Sequence, residues 1–246
     1  MTFEGKSVLV TGGSRGIGKA IALRFAKLGA ARVAISYLRN DSAAEEAAGE
    51  LRALGAEPVT LRGNVGDPDK AAALVEQAGV LDVLVSSAAT GVIRPLAELT
   101  EKHWDWTMNA NARALLTLAR TATPAMAEGS SIVAISSLGA GRVLDNYALV
   151  GTSKAALEAL VRYLAVELAP RDIRVNAVSA GLVETGALDY FPDRDTMLSH
   201  YRERTPAGRL VEPRDVADAV CFLASPQAAM IRGQAVVVDG GYSLLA

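Results

Sequence analysis

Short apolar runs alternate along this chain with longer segments whose apolar residues recur every three to four positions. Runs rich in valine, isoleucine and alanine predict buried strands, and the segments with a helical period predict helices. The predicted strands lie at 7–13, 31–37, 58–65, 81–90, 131–135, 173–181 and 234–241. Because strands and helices alternate, the pattern predicts parallel strands joined by right-handed crossovers. We therefore expect the α/β class, with a doubly wound seven-stranded parallel sheet and helices on both faces.

The segment between the last two predicted strands departs from this alternation. It is rich in charge, proline and aromatic residues, and it is longer than an ordinary connection between elements. Long segments at the ligand edge of a sheet commonly cover binding sites. We predict a substrate lid over about 182–210, in which Tyr190, Phe191, Met197 and Tyr201 supply apolar surface for a substrate tail. The alternative is that these side chains pack on one another.

A glycine-rich turn joins the first predicted strand to a helix predicted at 16–28. Glycines in such a turn adopt positive φ and let a pyrophosphate approach the backbone at the helix N-terminus, where unpaired N–H groups favour anions. The turn lies between a strand and a helix and is followed by a second strand, which is the context that a dinucleotide site requires. The predicted cofactor contacts in this turn are Gly12, Ser14, Arg15, Gly16, Ile17 and Gly18.

The end of the second strand indicates which dinucleotide binds. An acidic residue there accepts hydrogen bonds from the ribose 2′-hydroxyl, but residues 36–39 contain no acid. Arg39, with Arg15 in the turn, offers guanidinium groups that pair with a 2′-phosphate. The sequence therefore favours NADP(H) over NAD(H), with Tyr37 beside Arg39 as a further contact. The alternative is that both arginines are solvated surface charges.

Residues 136–154 connect the fifth strand to a long helix and carry the candidate chemistry. In open α/β sheets the carboxyl ends of the strands form the edge where ligands bind. This segment contains two hydroxyl donors, Ser137 and Tyr147, followed by the amine of Lys154. A nearby ammonium lowers the pKa of a phenol, so the set predicts an acid for a carbonyl or enolate oxygen. An ordinary loop and helix start is the alternative.

Composition and charge narrow the class of partner. A chain of 246 residues, half of them hydrophobic, can bury one large core, and we expect a single domain over 1–246. The net charge of −2 and the lack of a Lys/Arg block disfavour nucleic acid and anionic membrane. The single Cys221 makes no internal disulfide, and we expect it to be a small core residue. The N-terminal segment lacks a leader pattern, so we expect a cytoplasmic protein, and we expect no metal site.

Several motifs in order resemble the short-chain dehydrogenases/reductases over essentially the whole chain. TGGSRGIG is similar to the cofactor loop of that family, and Asn64 and Val65 to its adenine contact, near which Asp67 also lies. Asn111 in MNANARALL is similar to its helix-four asparagine, and the segment SKAALEAL to that of its ribose-binding lysine. The resemblance implies a Rossmann fold that binds NADP(H).

One departure from the family pattern concerns the catalytic tyrosine. The family usually carries a tyrosine four residues before the lysine, but here position 150 is valine and Tyr147 lies seven residues before Lys154. Residues three apart share a face of a helix, so Tyr147 is placed to supply the phenol that Val150 lacks. This spacing resembles the enoyl-acyl-carrier-protein reductases, and the runs HWDWTMNANARALL and SSLGAGRVLDNYALVGTSKAALEAL resemble the FabL-type (type III) enzymes most.

The resemblance implies NADPH-dependent reduction of the trans-2 double bond of an enoyl thioester on acyl carrier protein or coenzyme A, in fatty acid or polyketide biosynthesis. Tyr147 then stabilises the enolate oxygen, Lys154 holds the nicotinamide ribose, and Ser137 assists at the same oxygen. Asn111 supports the backbone and ordered water near Lys154, or has a purely structural role. Two alternatives are a 3-oxoacyl-thioester or polyketide ketoreductase and a catalytically inactive NADP(H)-binding protein.

The chain departs from the family's sequence pattern at two further places, and the family also implies an oligomeric state. Ser86, Ser87, Ala88 and Ala89 replace an asparagine-rich signature, and Ala180 precedes Gly181 where the family has proline. We expect weaker bracing of the central sheet but retained cofactor contacts, which are Ser87, Ala88, Gly181, Val183 and Thr185. Thr185 as a helix N-cap is the alternative. The family also implies a homotetramer, which the sequence supports through the apolar terminal residues Leu244, Leu245 and Ala246.

Overall fold

The computed structural model describes residues 1–184 and 194–245, and in these ranges all strands belong to one parallel sheet. The order across it is β3-β2-β1-β4-β5-β6-β7. This order reverses between β1 and β4, as in a doubly wound Rossmann sheet. The strands are β1 Ser7–Val10, β2 Arg32–Tyr37, β3 Glu57–Arg62, β4 Val83–Ser86, β5 Ser131–Ser137, β6 Arg174–Ala180 and β7 Ala235–Val238.

The helices of the described ranges connect these strands and cover both faces of the sheet. They are α1 Gly16–Lys27, α2 Asp41–Ala53, α3 Pro68–Ala78, α4 Glu101–Met108, α5 Ala114–Ala122, α6 Ala148–Glu167, α7 Arg194–Arg204 and α8 Pro213–Ala224. A π-helical turn, Asn109–Arg113, joins α4 to α5. None of these helices is long and apolar enough to cross a membrane.

The core lies on the two faces of the sheet because successive strand side chains point to opposite sides. Val8 and Val10 of β1 pack on one face with residues of α1 and α8. Leu9, between them, packs on the other face with residues of α3, α5 and α6. Strands buried on both faces are apolar throughout, which is the pattern seen in the sequence. The predicted fold class is confirmed, and Cys221 lies fully buried in the first of these clusters.

Strand ends differ from the prediction by a few residues, and the larger differences fall at the ligand edge. β1 ends at Val10 rather than at residue 13, because Gly13 leaves the ladder and its N–H donates to the Ser36 carbonyl oxygen. β3 ends at Arg62, before the turn in which the Gly66 N–H donates to Asn64 Oδ1. β5 is longer than predicted and pairs Ser137 with Ala180.

Part of the predicted lid falls outside the described residues. Thr185, Tyr190, Phe191 and Ala246 lie outside them, as does the side chain of Met197. The described part of the segment consists of 182–184, α7 and the residues that follow it. The single domain with a lid at about 182–210 therefore stays a prediction.

Candidate active site

The turn between β1 and α1 is a tight loop that requires glycine. Gly12 has φ +68, and a Cβ there would lie 2.9 Å from the Cα of Ala88. A Cβ at Gly18 would lie 2.3 Å from the carbonyl oxygen of Gly12. The turn therefore packs against its own helix and against the residues that follow β4. Only glycine allows so close an approach of the backbone.

The N-terminus of α1 is open to an anion. Arg15 is the N-cap residue, its side chain makes no capping hydrogen bond, and the first turn of α1 contains no acidic residue. The first N–H groups of a helix have no partner within the helix, and the dipole makes this end positive. A tight glycine turn leading to an uncapped helix start fits the pyrophosphate of a dinucleotide.

The end of β2 contributes both structural and exposed polar groups. The buried Ser36 accepts a hydrogen bond from the Gly12 N–H through Oγ at 3.3 Å. The pKa of the Tyr37 phenol is raised, first by its hydrogen bond with Asp41. Arg15 and Arg39 are both exposed, and neither forms an ion pair within the described ranges. Both guanidinium groups are therefore free to meet a phosphate at this edge.

The ends of β3 and β4 are fixed mainly by the backbone. Val65 is buried, and Asn64 Oδ1 accepts from the Gly66 N–H at 3.0 Å. Asp67, predicted to face the adenine, caps α3 by accepting from two N–H groups. Thr11 Oγ1 accepts from the N–H groups of Ser87 and Ala88 at 3.0 and 3.1 Å. This junction between β1 and β4 uses main-chain donors, so it does not depend on the side chains at 87 and 88.

Tyr147 and Ser137 meet at the carboxyl end of β5. Ser137 is the last residue of β5, Tyr147 is the N-cap of α6, and their hydroxyl oxygens are 3.4 Å apart. The Tyr147 ring packs against Gly139, where a Cβ would lie 2.6 Å from the ring. Gly139 also donates its N–H to Ser137 Oγ at 3.3 Å. The structure therefore brings together the two hydroxyls that the sequence selected.

Position 150 has a packing role. Val150 is buried, and a Cβ on Gly91 would lie 2.2 Å from its Cγ2. The loop after β4 thus passes directly over the valine. The space next to position 150 is filled by the backbone of this loop. The phenol at the start of α6 is that of Tyr147, the N-cap residue.

Lys154 is buried and lies differently from the expectation. Its Nζ donates to the carbonyl oxygen of Ile135 at 2.7 Å. Burial lowers the pKa of Lys154 to about 8, against the opposing negative charge of Glu158. Glu158 in turn accepts a 2.6 Å hydrogen bond from Ser136 Oγ. The ammonium is thus held at the end of β5 by a main-chain carbonyl oxygen, with the Glu158 carboxylate near enough to act through its charge.

The expectation that Lys154 lowers the pKa of Tyr147 is wrong for this structure. Burial raises the pKa of the Tyr147 phenol, and the hydrogen bond with Ser137 offsets only part of that shift. The physical reason is that the Lys154 ammonium is directed to the Ile135 carbonyl oxygen. A phenol with a raised pKa keeps its proton at neutral pH and acts as a hydrogen-bond donor.

Asn111 lies in the π-helical turn and joins three elements. Its amide exchanges two hydrogen bonds with the Thr90 backbone, both at 2.9 Å, and donates to Ser153 Oγ at 2.8 Å. Ser153 Oγ donates to the Val150 carbonyl oxygen at 2.7 Å. Asn111 therefore connects the loop after β4 to α6, close to Lys154. π-Helical turns of this kind are frequent at functional sites.

The end of β6 supplies the remaining predicted contacts. Gly181 packs against the end of the last strand. Its N–H donates to the Val238 carbonyl oxygen at 2.9 Å, and a Cβ at this position would lie 2.9 Å from Asp239 Cβ. Val183 forms an isolated parallel bridge with Val211. Both residues thus hold the start of the predicted lid segment to the sheet edge.

Sequence reasoning missed several residues that hold the site together. Ser153 directly precedes Lys154, and Thr90 lies 21 residues from Asn111, so only three-dimensional proximity identifies this brace. Tyr242 stacks on Tyr201 of α7, with ring centroids 4.3 Å apart and planes 15° apart. The pKa of Tyr201 is raised by burial and by its hydrogen bond with Tyr242, with smaller contributions from the nearby Tyr147 and Asp145.

Comparison with known proteins defines the class to which this fold and site belong. A family model described as Enoyl-(Acyl carrier protein) reductase matches residues 12–243. A short-chain dehydrogenase from Burkholderia cenocepacia, solved in complex with NADP, is 35% identical, covers 99% of this chain and 100% of its own, and superposes with a TM-score of 0.92. The chain belongs to the short-chain dehydrogenase/reductase family.

Two named relatives indicate the type of reaction in this part of the family. A 1-cyclohexenylcarbonyl-CoA reductase from Streptomyces collinus is 36% identical over 97% of this chain and 87% of its own length. A hydroxynaphthalene reductase-like protein from Metarhizium brunneum is 35% identical over 98% of this chain and 96% of its own. The protein is an oxidoreductase of the reductase type.

Proposed function

We propose that this protein is an NADPH-dependent enoyl-thioester reductase that reduces the trans-2 double bond of an acyl chain on acyl carrier protein or coenzyme A. The observation that carries the proposal is the hydroxyl pair of Tyr147 and Ser137, 3.4 Å apart, beside a buried valine at position 150. The phenol comes from the head of α6, at the spacing from Lys154 that resembles enoyl reductases.

The cofactor assignment rests on the β1–α1 turn and on two arginines. The uncapped start of α1 suits a pyrophosphate, and the exposed Arg15 and Arg39 suit a 2′-phosphate. The Burkholderia cenocepacia relative, at 35% identity, was solved with NADP. When bound, NADPH supplies the hydride to the substrate. The other assigned cofactor contacts keep the roles that the resemblance gives them, with Thr185 outside the described residues.

Tyr147 acts as the donor to the substrate oxygen. Reduction of an enoyl thioester at its β-carbon develops negative charge on the thioester oxygen, and a donor that is already in place stabilises that charge. The raised pKa of Tyr147 keeps the phenol protonated, as a donor must be. Ser137 orients the phenol through the hydroxyl contact, and Asn111 keeps the loop after β4 in place against α6.

Lys154 supplies positive potential and ribose contacts at the base of the site. With a pKa of about 8 it is mostly protonated at neutral pH, and its charge remains beside the β5 end. Its three donor hydrogens allow it to keep the Ile135 carbonyl and also reach ribose hydroxyls. This arrangement favours binding and orientation, while the phenol handles the developing charge.

The Streptomyces collinus relative supports the choice of substrate. Its name describes a coenzyme A thioester in which a ring double bond is conjugated with the carbonyl group, and it is 36% identical over 97% of this chain. A second candidate function is a ketoreductase, which the hydroxynaphthalene reductase-like relative favours. The same phenol can donate to the oxygen of a ketone. An inactive NADP(H)-binding protein is disfavoured because Tyr147 and Ser137 remain in contact.

The test compares the two bonds directly. NADPH absorbance is followed with crotonyl-CoA and acetoacetyl-CoA under the same conditions. The proposal expects consumption with crotonyl-CoA at a kcat/KM at least about ten times that with acetoacetyl-CoA, a difference of about 1.4 kcal/mol in activation free energy. Consumption with acetoacetyl-CoA alone would establish the ketoreductase. Tight NADPH binding without turnover on either would establish the inactive binding protein.

A further inference from the structure

A basic pocket of about 350 Å³ lies beside the site, between the loop that precedes α6 and the C-terminal residues. Its lining includes Arg142, Val143, Leu144, Arg204, Tyr242 and Leu245. We propose that this pocket binds the phosphate of the phosphopantetheine arm that carries the substrate thioester. This inference rests on the proposed function and adds a binding site for the carrier.

The pocket adjoins the reacting groups through two contacts. Leu144 accepts a hydrogen bond from the Tyr147 N–H at 3.3 Å, so this wall of the pocket is one turn away from the phenol. Tyr242, which also lines the pocket, stacks on Tyr201, and Tyr201 is close enough to Tyr147 for an electrostatic interaction between the two phenols. A ligand in the pocket is therefore next to the place where a substrate meets Tyr147.

The charge of the pocket is positive. Arg142 is exposed and forms no ion pair within residues 1–184 and 194–245. Arg204, at the end of α7, also lines the pocket but has an interaction of its own. The positive charge of Arg142 interacts with the Asp239 carboxylate at a distance. That carboxylate already accepts hydrogen bonds from the N–H groups of Gly241 and Ser243 at 2.9 and 2.8 Å. None of the described lining residues is acidic. The Arg142 guanidinium, with no carboxylate among the described lining residues, suits a phosphate.

The apolar part of the lining suits the arm to which the phosphate is attached. Val143 is 98% exposed and Leu245 is 47% exposed, so both present alkyl surface in the same pocket as the guanidinium groups. Leu144 and the Tyr242 ring add to that surface. The exposed Arg142 beside aliphatic side chains matches a phosphate at the end of a chain with methyl and methylene groups.

This pocket is separate from the predicted site of the cofactor 2′-phosphate. Arg142 lies in the connection between β5 and α6, whereas Arg39 follows β2. In the sheet order β1 and β4 lie between β2 and β5, which places the two strands about 14 Å apart at the usual strand spacing. The two basic groups therefore serve different phosphates.

The experiment compares thioesters with and without a phosphate. Crotonyl-CoA, crotonyl-phosphopantetheine and crotonyl-N-acetylcysteamine carry the same reacting group, but the last has no phosphate. The measured quantity is the ratio of kcat/KM for each phosphate-bearing thioester to kcat/KM for the N-acetylcysteamine thioester. In R142A we expect both ratios to fall about tenfold, which corresponds to the free energy of one charge-assisted hydrogen bond. R142K should retain part of the discrimination, because it keeps the charge and loses the planar fork.

The matched control is R52A. Arg52 is also exposed and without an ion pair in the described ranges, and it lies at the end of α2, on the opposite edge of the sheet. Its removal changes the net charge equally and should leave both ratios unchanged. Equal losses with crotonyl-CoA and crotonyl-phosphopantetheine assign the pocket to the phosphate of the arm. A loss with crotonyl-CoA alone assigns it to the nucleotide phosphates and overturns the proposal for the arm.

Failure of this inference is distinguishable from failure of the proposed function. Unchanged ratios in R142A, with full turnover of all three thioesters, would refute the pocket and leave the reductase intact. If the wild type consumes no NADPH with any thioester, the proposed function fails, and the pocket is then tested by calorimetric titration with phosphopantetheine. Binding that weakens about tenfold in R142A but not in R52A supports the pocket, and equal binding in both variants overturns it.

Discussion

Asn111 is the residue whose removal has the most direct structural consequence. N111A deletes two hydrogen bonds to the Thr90 backbone and one to Ser153 Oγ. The side chain of Asn111 is only 1% exposed, so water does not readily replace its amide. The loop after β4 and the helix α6 then lose the side chain that connects them.

The size of the effect follows from the groups left without partners. A buried donor or acceptor that loses its partner costs about 1–3 kcal/mol. Thr90 is only half-buried, so we take the low end, about 1 kcal/mol for its N–H and the same for its carbonyl oxygen. Loss of the bond to Ser153 adds about 1 kcal/mol. The expected destabilisation of N111A is therefore about 3 kcal/mol.

Urea unfolding followed by tryptophan fluorescence and by circular dichroism measures this change. N109A is the matched control, because Asn109 is half-buried in the same π-helical turn and its side chain has no hydrogen bond within the described residues. We expect N109A to remain within about 0.5 kcal/mol of the wild type. Equal destabilisation in the two variants would refute the role assigned to the Asn111 brace.

Two further predictions concern buried charge and the glycine turn. Burial lowers the pKa of Lys154 from its ordinary 10.5 to about 8, so the unfolded chain binds more protons than the folded chain between these pH values. The free energy of unfolding of the cofactor-free wild type should therefore rise by up to about 3 kcal/mol from pH 8 to 10.5, relative to that of K154M. Parallel profiles of unfolding free energy against pH in the two proteins would contradict this. G18A places a Cβ 2.3 Å from the Gly12 carbonyl oxygen and should weaken NADPH binding at least about tenfold by fluorescence titration. G49A is the control, because a Cβ at Gly49 meets nothing within 4 Å; it should bind NADPH normally and gain up to about 1 kcal/mol in helix stability. Equal NADPH affinity of G18A and G49A would refute the role assigned to the tight turn.

Local sequence patterns contain much of the information about the fold. The period of the apolar residues predicts which segments are strands, and a strand buried on both faces has a continuous apolar run such as that of β1. The glycine turn is also a local signal, because the glycines that allow its positive φ angles, such as Gly12 and Gly16, lie close together in the chain. Strand ends are less predictable, because β5 extends to Ser137 only through its pairing with β6.

The site depends more on contacts between distant residues. The sequence places Tyr147 and Ser137 in one segment, but the direction of the Lys154 side chain depends on the carbonyl oxygen of Ile135, 19 residues away. The contact between Asn111 and Ser153 spans 42 residues, and the stack of Tyr201 on Tyr242 joins two separate segments of the C-terminal part of the chain. No local pattern identifies these partners, because they form only when the helices pack on the sheet.

We assign to the Tyr147 phenol the donor role that Val150 cannot fill. Y147F removes only the hydroxyl that lies 3.4 Å from Ser137 Oγ and keeps the ring packed against Gly139. Y163F is the control, because Tyr163 belongs to the same helix and is 76% exposed. Both variants should keep the NADPH affinity of the wild type.

The most direct measurement is kcat for NADPH consumption with crotonyl-CoA in the wild type, Y147F and Y163F. We expect kcat of Y147F to fall about 10²- to 10³-fold, the usual loss when one donor to a developing oxyanion is removed, and kcat of Y163F to stay unchanged. An unchanged kcat in Y147F, with crotonyl-CoA still turned over, would contradict the assignment of the phenol.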